Sequence, residues 1–195
     1  MKKLYIYLFL VLFSLQIPSL ANDIRDFQIE GMSIGDSLLD YFSEEEIKQS
    51  KQNTQYPNDK YIVYQISRIK KLKVYEGLNA SIKKNDRNYV IASIFGGIFY
   101  EKLEECLKLK KEITKDIGNL FKDARIQETT YNSKFDKSGE SKVYETAYRL
   151  KPKPSDEAII VNCNHWSLTY KLKRSLQVAA NSEEFAYFLI YEAYK

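Results

Sequence analysis

The chain has 195 residues, of which 29% are charged and 44% are hydrophobic, and it contains few glycines and prolines. This composition excludes an intrinsically disordered or low-complexity chain, and it fits one domain with its own hydrophobic core. The formal net charge of +4 falls to about +2 without residues 1–21, which carry two lysines and no acid, and neither value is the concentrated basic charge that a nucleic-acid partner needs.

Residues 1–21 have the layout of a secretory signal peptide. Two lysines precede an almost wholly apolar run over 4–17, and Ser19-Leu20-Ala21 places small residues at the two positions that a signal peptidase reads. The alternative is a retained membrane anchor, but this run of about 14 residues is shorter than the roughly 20 that span a bilayer. No cysteine follows the run to carry a lipid, and no later stretch is long and apolar enough to span. We therefore predict an exported chain, periplasmic or secreted, that begins at Asn22 and has no transmembrane segment.

The elements up to residue 100 are predicted from periodicity and turn residues. They are a short strand at 27–31, a helix at 37–42 that Ser33 caps, a helical segment from Ser43 to Lys48, a loop at 51–60, strands at 61–66, 72–83 and 90–100, and a hairpin turn at 84–88. Ser43 and Glu46 have the spacing of a capping box. Gly96 and Gly97 indicate a bulge, a bend or a close backbone approach inside the last of these strands.

The second half of the chain begins with its clearest helix, at 101–122, because apolar residues recur there at spacings of three and four. After it we predict a turn at 137–139, strands at 142–150, 158–166 and 171–179, and a last helix from Glu183 to Tyr194 that Asn181 and Glu184 cap. Hairpin-length turns join most strands, and the regular strand–helix alternation of a parallel sheet is missing. The predicted fold class is therefore α+β: one domain over 22–195, a mainly antiparallel sheet, and one long and two shorter helices packed on one face of it.

The chain has two cysteines, Cys106 and Cys163, and an even count in an exported protein favours a disulfide. Cys106 lies on the apolar face of the long helix, so it points toward the sheet that contains Cys163. The alternatives are inert free thiols, or a functional pair in which His165 activates Cys163 as a nucleophile or joins it as a metal ligand. A zinc site takes about four ligands, and the chain offers one histidine and two cysteines. We predict the disulfide between Cys106 and Cys163, with no metal and no cofactor.

Motifs of other enzymes are missing. No G-x-S-x-G elbow is present, and a Ser-His-Asp triad would have to use His165. Glu104-Glu105 and Glu183-Glu184 are paired carboxylates of the kind a glycosidase uses, but adjacent acids at the start of a helix ordinarily compensate its dipole in solvent. Among these candidates, Cys163 and His165 are therefore the residues on which catalysis would depend.

The last predicted helix carries two aromatic stripes. They are Phe185, Phe188 and Leu189 on one side, and Tyr187, Tyr191 and Tyr194 on the other. We assign the first stripe to the core. The tyrosine stripe is a candidate binding surface, because tyrosine offers a large contact area with a polar tip. The alternative is that it forms a half-buried flank of the core.

The stretch Gly31-Met32-Ser33-Ile34-Gly35-Asp36-Ser37-Leu38 resembles the start of the first helix in small envelope proteins of the SmpA/OmlA type. Those proteins combine helices with a small antiparallel sheet and help to assemble the outer membrane, so the resemblance implies an envelope function. The lipid-bearing cysteine of that family has no counterpart here. The whole chain also resembles exported proteins of small AT-rich bacterial genomes, a resemblance that implies no activity.

Export, the missing catalytic motifs and the supply of aromatic side chains together predict a binding protein. We expect its partner to be an envelope protein or another macromolecule, bound through the free face of the sheet and through Tyr187, Tyr191 and Tyr194. The alternative is a thiol-dependent or hydrolytic enzyme, which requires Cys163 as a free thiol beside His165. A third hypothesis is a stress-related or toxin-like effector secreted beyond the envelope.

Overall fold

The computed structural model describes residues 21, 23–52, 56–152, 155–170 and 172–195. The predicted signal peptide therefore lies outside the described residues, apart from Ala21, and so does the predicted new terminus at Asn22. Within the described ranges, no helix combines the length and the apolar character that crossing a bilayer requires.

The described residues form one seven-stranded sheet in which all neighbouring strands are antiparallel. The strands are β1 (Tyr61–Gln65), β2 (Gly77–Lys83), β3 (Ile91–Phe99), β4 (Arg125–Asn132), β5 (Lys142–Arg149), β6 (Ala158–His165) and β7 (Ser175–Asn181). Their order across the sheet is β1-β2-β3-β7-β6-β5-β4. The strand that comes last in the chain therefore lies at the centre of the sheet, between β3 and β6.

Within the described ranges, three α-helices accompany the sheet: α1 (Glu44–Ser50), α2 (Leu103–Leu120) and α3 (Glu183–Tyr191). The capping box predicted at Ser43 is present, because the Ser43 side chain accepts from the backbone of Glu46 and the Glu46 carboxylate accepts from the backbone of Ser43. The α+β class with one long and two shorter helices is confirmed. The long helix lies within two residues of its predicted bounds at each end.

The main core lies on the first face of the sheet, under α2. Cys106 and Ile117 are the buried residues of this helix, and they join buried side chains of the central strands such as Val161, Leu176 and Val178. The segment before β1 packs into the same core through Ile24, Met32, Leu38 and Ile47. This arrangement buries the apolar stripe of the long helix, as its periodicity predicts.

The second face of the sheet carries α3, so the prediction that the helices share one face is wrong. Tyr61 and Val63 alternate with Tyr64 along β1 and therefore point away from the main core. Phe185 and Phe188 of α3 cover them, and all four side chains are at most 3% exposed. The sequence shows each amphipathic stripe, but it does not show which side of the sheet a stripe will meet.

β4 was not predicted from the sequence. All eight of its residues are exposed, because it is an edge strand that neither core covers. It therefore lacks the alternation of apolar and polar residues that identifies a half-buried strand. An unbroken eight-residue pairing with β5 holds it in place.

Other elements differ from prediction at the N-terminal side. The strand expected at 27–31 is a single bridge between Ile29 and Met32, closed by Glu30 and Gly31 at positive φ. The helix expected at 37–42 is one 3-10 turn, and Ser37 caps it instead of Ser33. Three-residue turns of this kind leave too little apolar periodicity to distinguish them from a longer element.

Two strands begin several residues after their predicted first residues. β2 begins at Gly77 rather than at residue 72, because the backbone N–H groups of Lys73, Val74 and Tyr75 donate to the carboxylate of Glu30 instead of to a strand partner. β7 begins at Ser175 rather than at residue 171, at the last pair that it makes with β6.

The last helix begins at Glu183, as predicted, but its N-cap and its end differ from prediction. Ser182, and not Asn181, is its N-cap, and the Ser182 side chain accepts from the backbone of Phe185 at 3.3 Å. Asn181 stays in β7, where its side-chain oxygen accepts from the Ser93 hydroxyl at 2.7 Å. The helix ends at Tyr191 instead of Tyr194.

Candidate functional site

The predicted disulfide between Cys106 and Cys163 is confirmed. It joins α2 to β6 across the first face of the sheet, with a Cα–Cα distance of 6.1 Å. Both cysteines are buried, at 2% and 0% exposure. The Cys163 sulfur is thus bonded and shielded from solvent, and the thiol chemistry proposed for it would require reduction first.

His165 lies on the same side of β6 as Cys163, as the spacing predicts. Its ring stacks on Tyr100 with centroids 6.4 Å apart, and its Nδ1 is buried without a hydrogen-bond partner among the described residues. Burial, assisted by the positive charge of Arg174, lowers the pKa of His165, which favours a neutral imidazole at neutral pH. Within the described ranges no three His, Cys, Asp or Glu side chains are grouped to hold a metal ion.

The outer side of α3 forms an aromatic surface, which we call the tyrosine surface. Its members and their exposures are Tyr187 (51%), Ile190 (53%), Tyr191 (44%), Tyr194 (57%) and, from the β4–β5 connection, Phe135 (60%). The Tyr187 and Tyr191 rings contact each other with centroids 4.7 Å apart. The three tyrosines singled out from the sequence are thus exposed and lie at one surface.

Tyr194 lies at this surface, but it follows the end of α3 and is not part of the helix as predicted. The backbone N–H of Ala193 donates to the carbonyl of Phe188, a local bond that ends the helix, and the Ala193 carbonyl accepts from the backbone N–H of Asn58, a tertiary contact. Tyr194 then packs between Tyr56 and Phe135, at centroid distances of 5.9 and 6.0 Å. Phe135, for which the sequence carries no signal, is a member of the surface only because of this contact.

The inner side of α3 holds the tyrosine surface rigidly in place. The Tyr61 ring contacts the rings of Phe185 and Phe188, each with a centroid distance of 4.9 Å. Tyr56 contacts Phe188 edge-on at 5.4 Å, and its burial raises its pKa to about 12. A buried aromatic cluster of this kind orients the exposed rings without a large entropic cost on binding.

One ion pair joins α3 to β2, and another joins the residue after α3 to the residue before β1. Lys60 pairs with Glu192 at 3.0 Å, and Lys83 pairs with Glu184 at 2.9 Å. The hydrogen bond from Lys83 lowers the pKa of Glu184. Because these pairs are partly exposed, they orient the helix more than they stabilise it.

The rest of the second face is half-buried and polar, and we call it the polar sheet face. Its members, set by strand register, are Gln65, Asn79, Phe95, Gln177 and Asn162. The Gln52 amide joins the first two, donating to Gln65 at 3.2 Å and to Asn79 at 3.3 Å. This is the part of the sheet that α3 leaves uncovered, and it offers amide groups to a partner.

The chain matches no family model, no curated protein and no solved structure. Function is carried by the side chains of a site rather than by an architecture. The tyrosine surface and the polar sheet face are the contact areas that these side chains offer.

A buried carboxylate anchors the connection that carries Phe135. Asp136 accepts from the Ser141 hydroxyl and backbone, from the Ser167 hydroxyl at 2.9 Å, and from the Ser138 backbone at 3.0 Å. These hydrogen bonds, with that of Ser141 the strongest, hold the pKa of Asp136 well below its usual range.

We expect Asp136→Asn to lower the free energy of unfolding at neutral pH. We also expect the free energy of unfolding of the variant to change less than that of the wild type as the pH falls. The folded pKa is depressed, so the stabilisation is present above the unfolded pKa of about 3.9 and is lost as the pH falls below it. Urea unfolding of the wild type and the variant between neutral pH and about pH 3 measures the difference. Parallel curves at every pH would contradict this role for Asp136.

Proposed function

We propose that this is an exported binding protein, periplasmic or secreted, that holds an envelope protein on its tyrosine surface. The observation that carries the proposal is the exposure of Tyr187, Tyr191 and Tyr194 at one rigidly supported surface. Exposed aromatic side chains grouped on one surface are typical of protein contacts, and tyrosine is enriched among the residues that dominate binding energy.

The neighbouring side chains are suited to non-covalent binding of a protein partner. Phe135 and Ile190 extend the apolar area, and the amides of the polar sheet face supply donors and acceptors to its side. An apolar centre with a polar margin is the usual anatomy of a specific interface.

Two observations support the location. The Cys106–Cys163 disulfide is of a kind that persists outside the cytoplasm, where thiols are not kept reduced. Residues 1–21 have the layout of a signal peptide, and the stretch over 31–38 resembles SmpA/OmlA-type envelope proteins. Intact-mass measurement of the protein from its native envelope tests this, and we expect a chain that begins at Asn22 with neither cysteine alkylated before reduction.

The binding proposal is tested by photo-crosslinking in intact cells, with the reactive amino acid at position 190, an exposed position of the tyrosine surface. We expect a discrete crosslinked partner whose yield falls about tenfold or more in the Tyr187→Ala, Tyr191→Ala double variant, since two aromatic anchors are removed. Tyr194 is left intact because its contact with Tyr56 supports the fold.

The matched control uses exposed side chains of β4, Ile126 and Tyr131, which are 54% and 41% exposed. The Ile126→Ala, Tyr131→Ala double variant removes exposed side chains from the edge strand opposite β1 and is expected to keep the wild-type yield. The proposal fails if both double variants crosslink like the wild type, or if both lose the partner equally.

A further inference from the structure

The connection between β6 and β7 exposes two leucines to solvent. Leu168 is 88% exposed and Leu172 is 54% exposed, and Leu168 is the most exposed large hydrophobic residue in the described part of the chain. The sequence of the connection, Trp166-Ser167-Leu168-Thr169-Tyr170-Lys171-Leu172-Lys173-Arg174, contains three basic residues and no acid. These leucines pack neither in the two cores nor against α3, so the fold itself gives no reason for their position.

The same end of the sheet adds a third apolar side chain. Phe99, the last residue of β3, is 46% exposed and pairs with Ser175 at the start of β7. The Lys173 ammonium lies 4.9 Å from the centroid of the Phe99 ring. The apolar and basic side chains are therefore interleaved at one tip of the molecule.

The connection is anchored on both sides of the leucines. Before them, the Ser167 hydroxyl donates to Asp136 at 2.9 Å. After them, Arg174 donates to the carbonyl of Trp166 at 3.1 Å and to the carbonyl of Glu101 at 3.3 Å. The described residues on either side of the leucines are thus held by hydrogen bonds, which lowers the entropic cost of inserting Leu168 and Leu172 into a partner phase.

We propose that this tip docks on an anionic phospholipid surface. Leu168, Leu172 and Phe99 enter the boundary between headgroups and acyl chains, while Lys173 lies at the level of the lipid phosphates. Exposed leucine and phenylalanine interleaved with lysine, in a segment without acids, is the side-chain pattern of interfacial membrane binding. The Glu76 carboxylate accepts the backbone N–H of Phe99 at 2.7 Å, so this end of β3 carries an acid beside the basic residues of the connection.

This inference does not rest on the proposed protein partner, because none of Leu168, Leu172 and Phe99 belongs to the tyrosine surface. The two surfaces approach each other at Phe135, since the next residue, Asp136, accepts from Ser167 at the base of the connection. Membrane docking through the tip and protein binding through the tyrosine surface are compatible with each other. The two proposals are tested with different variants. The vesicle assay contains no other protein, so its result does not depend on the proposed protein partner.

The test is co-sedimentation of the protein, recovered from the envelope of its own cell so that its processing is native, with lipid vesicles. The vesicles contain one part phosphatidylglycerol to two parts phosphatidylcholine, or phosphatidylcholine alone. We expect the partition coefficient on the anionic vesicles to fall about tenfold or more in the Leu168→Ser, Leu172→Ser variant. Raising the salt concentration from about 50 mM to about 500 mM should weaken wild-type binding, because it screens the lysine–phosphate attraction.

The control variant is Leu39→Ser, Leu120→Ser, which removes two other exposed leucines, 43% and 45% exposed, from different parts of the surface. It is expected to bind as the wild type does, and so is the Tyr187→Ala, Tyr191→Ala variant. Fluorescence of Trp166, the single tryptophan of the chain, gives a second readout at the tip and should shift to the blue only with anionic vesicles. Wild-type binding that is no stronger than that of Leu168→Ser, Leu172→Ser, or no stronger on anionic than on zwitterionic vesicles, overturns the proposal.

Discussion

Replacing Cys106 and Cys163 together with alanine is expected to lower the free energy of unfolding by about 4 kcal/mol. The bond joins residues separated by 57 positions, and closing a loop of that length restricts the unfolded chain by roughly this amount in the loop-entropy model. The bond also ties α2 to β6 across the main core. Guanidinium unfolding without reductant measures the difference in unfolding free energy.

The wild type in strong reductant provides the matched comparison, because it keeps both sulfurs and loses only the bond. Its unfolding midpoint should move toward that of the double alanine variant. If reduction leaves the midpoint unchanged while the alanine variant is destabilised, the loss comes from packing and not from the crosslink.

Gly96→Ala is expected to destabilise the fold by about 3 kcal/mol, the upper part of the range for overpacking a core. A Cβ at this position would lie 2.5 Å from the Tyr75 ring, whereas real Cβ contacts of this kind are longer, so the ring or the strand must shift. The sequence indicates a bulge, a bend or a close approach at Gly96 and Gly97. In the structure, Gly96 allows the close approach of the Tyr75 ring. The irregularity of the β2–β3 ladder lies at Ser81 and Ile82 instead.

Gly97→Ala is the matched control on the opposite face of the same strand. Its nearest neighbour to a new Cβ is the Leu176 carbonyl at 3.8 Å, an ordinary contact, so we expect a change within about 0.5 kcal/mol. Thermal unfolding of the two variants compares the positions directly. Similar losses at both would mean that alanine weakens the strand itself rather than displacing Tyr75.

The sequence predicts best where a feature depends on neighbours within a few residues. The long helix follows from apolar spacings of three and four, and the capping box follows from Ser43 and Glu46. The disulfide is also predicted, because two cysteines allow only one intramolecular pair. The exposed positions of Tyr187 and Tyr191 follow from their separation from Phe185 and Phe188 around the helix.

The failures have a common physical origin in contacts between distant parts of the chain. β4 is held by its ladder with β5 and buries neither face, so its own residues carry no periodic signal. Asn181 and Ser182 are both good N-caps in isolation. The Ser93 hydroxyl selects between them, because it holds Asn181 inside β7.

The long helix, the pairing of the cysteines and the inner stripe of α3 can be read from the amino-acid sequence, since each follows from short-range spacing or from a single possible pairing. The strand order, the face that α3 covers and the joining of Phe135 to Tyr194 were decided by the tertiary structure. So was the projection of Leu168 and Leu172 between β6 and β7. The reason is that β7 closes the sheet between β3 and β6, far from both in sequence, and no local pattern encodes which surfaces such a closure leaves exposed.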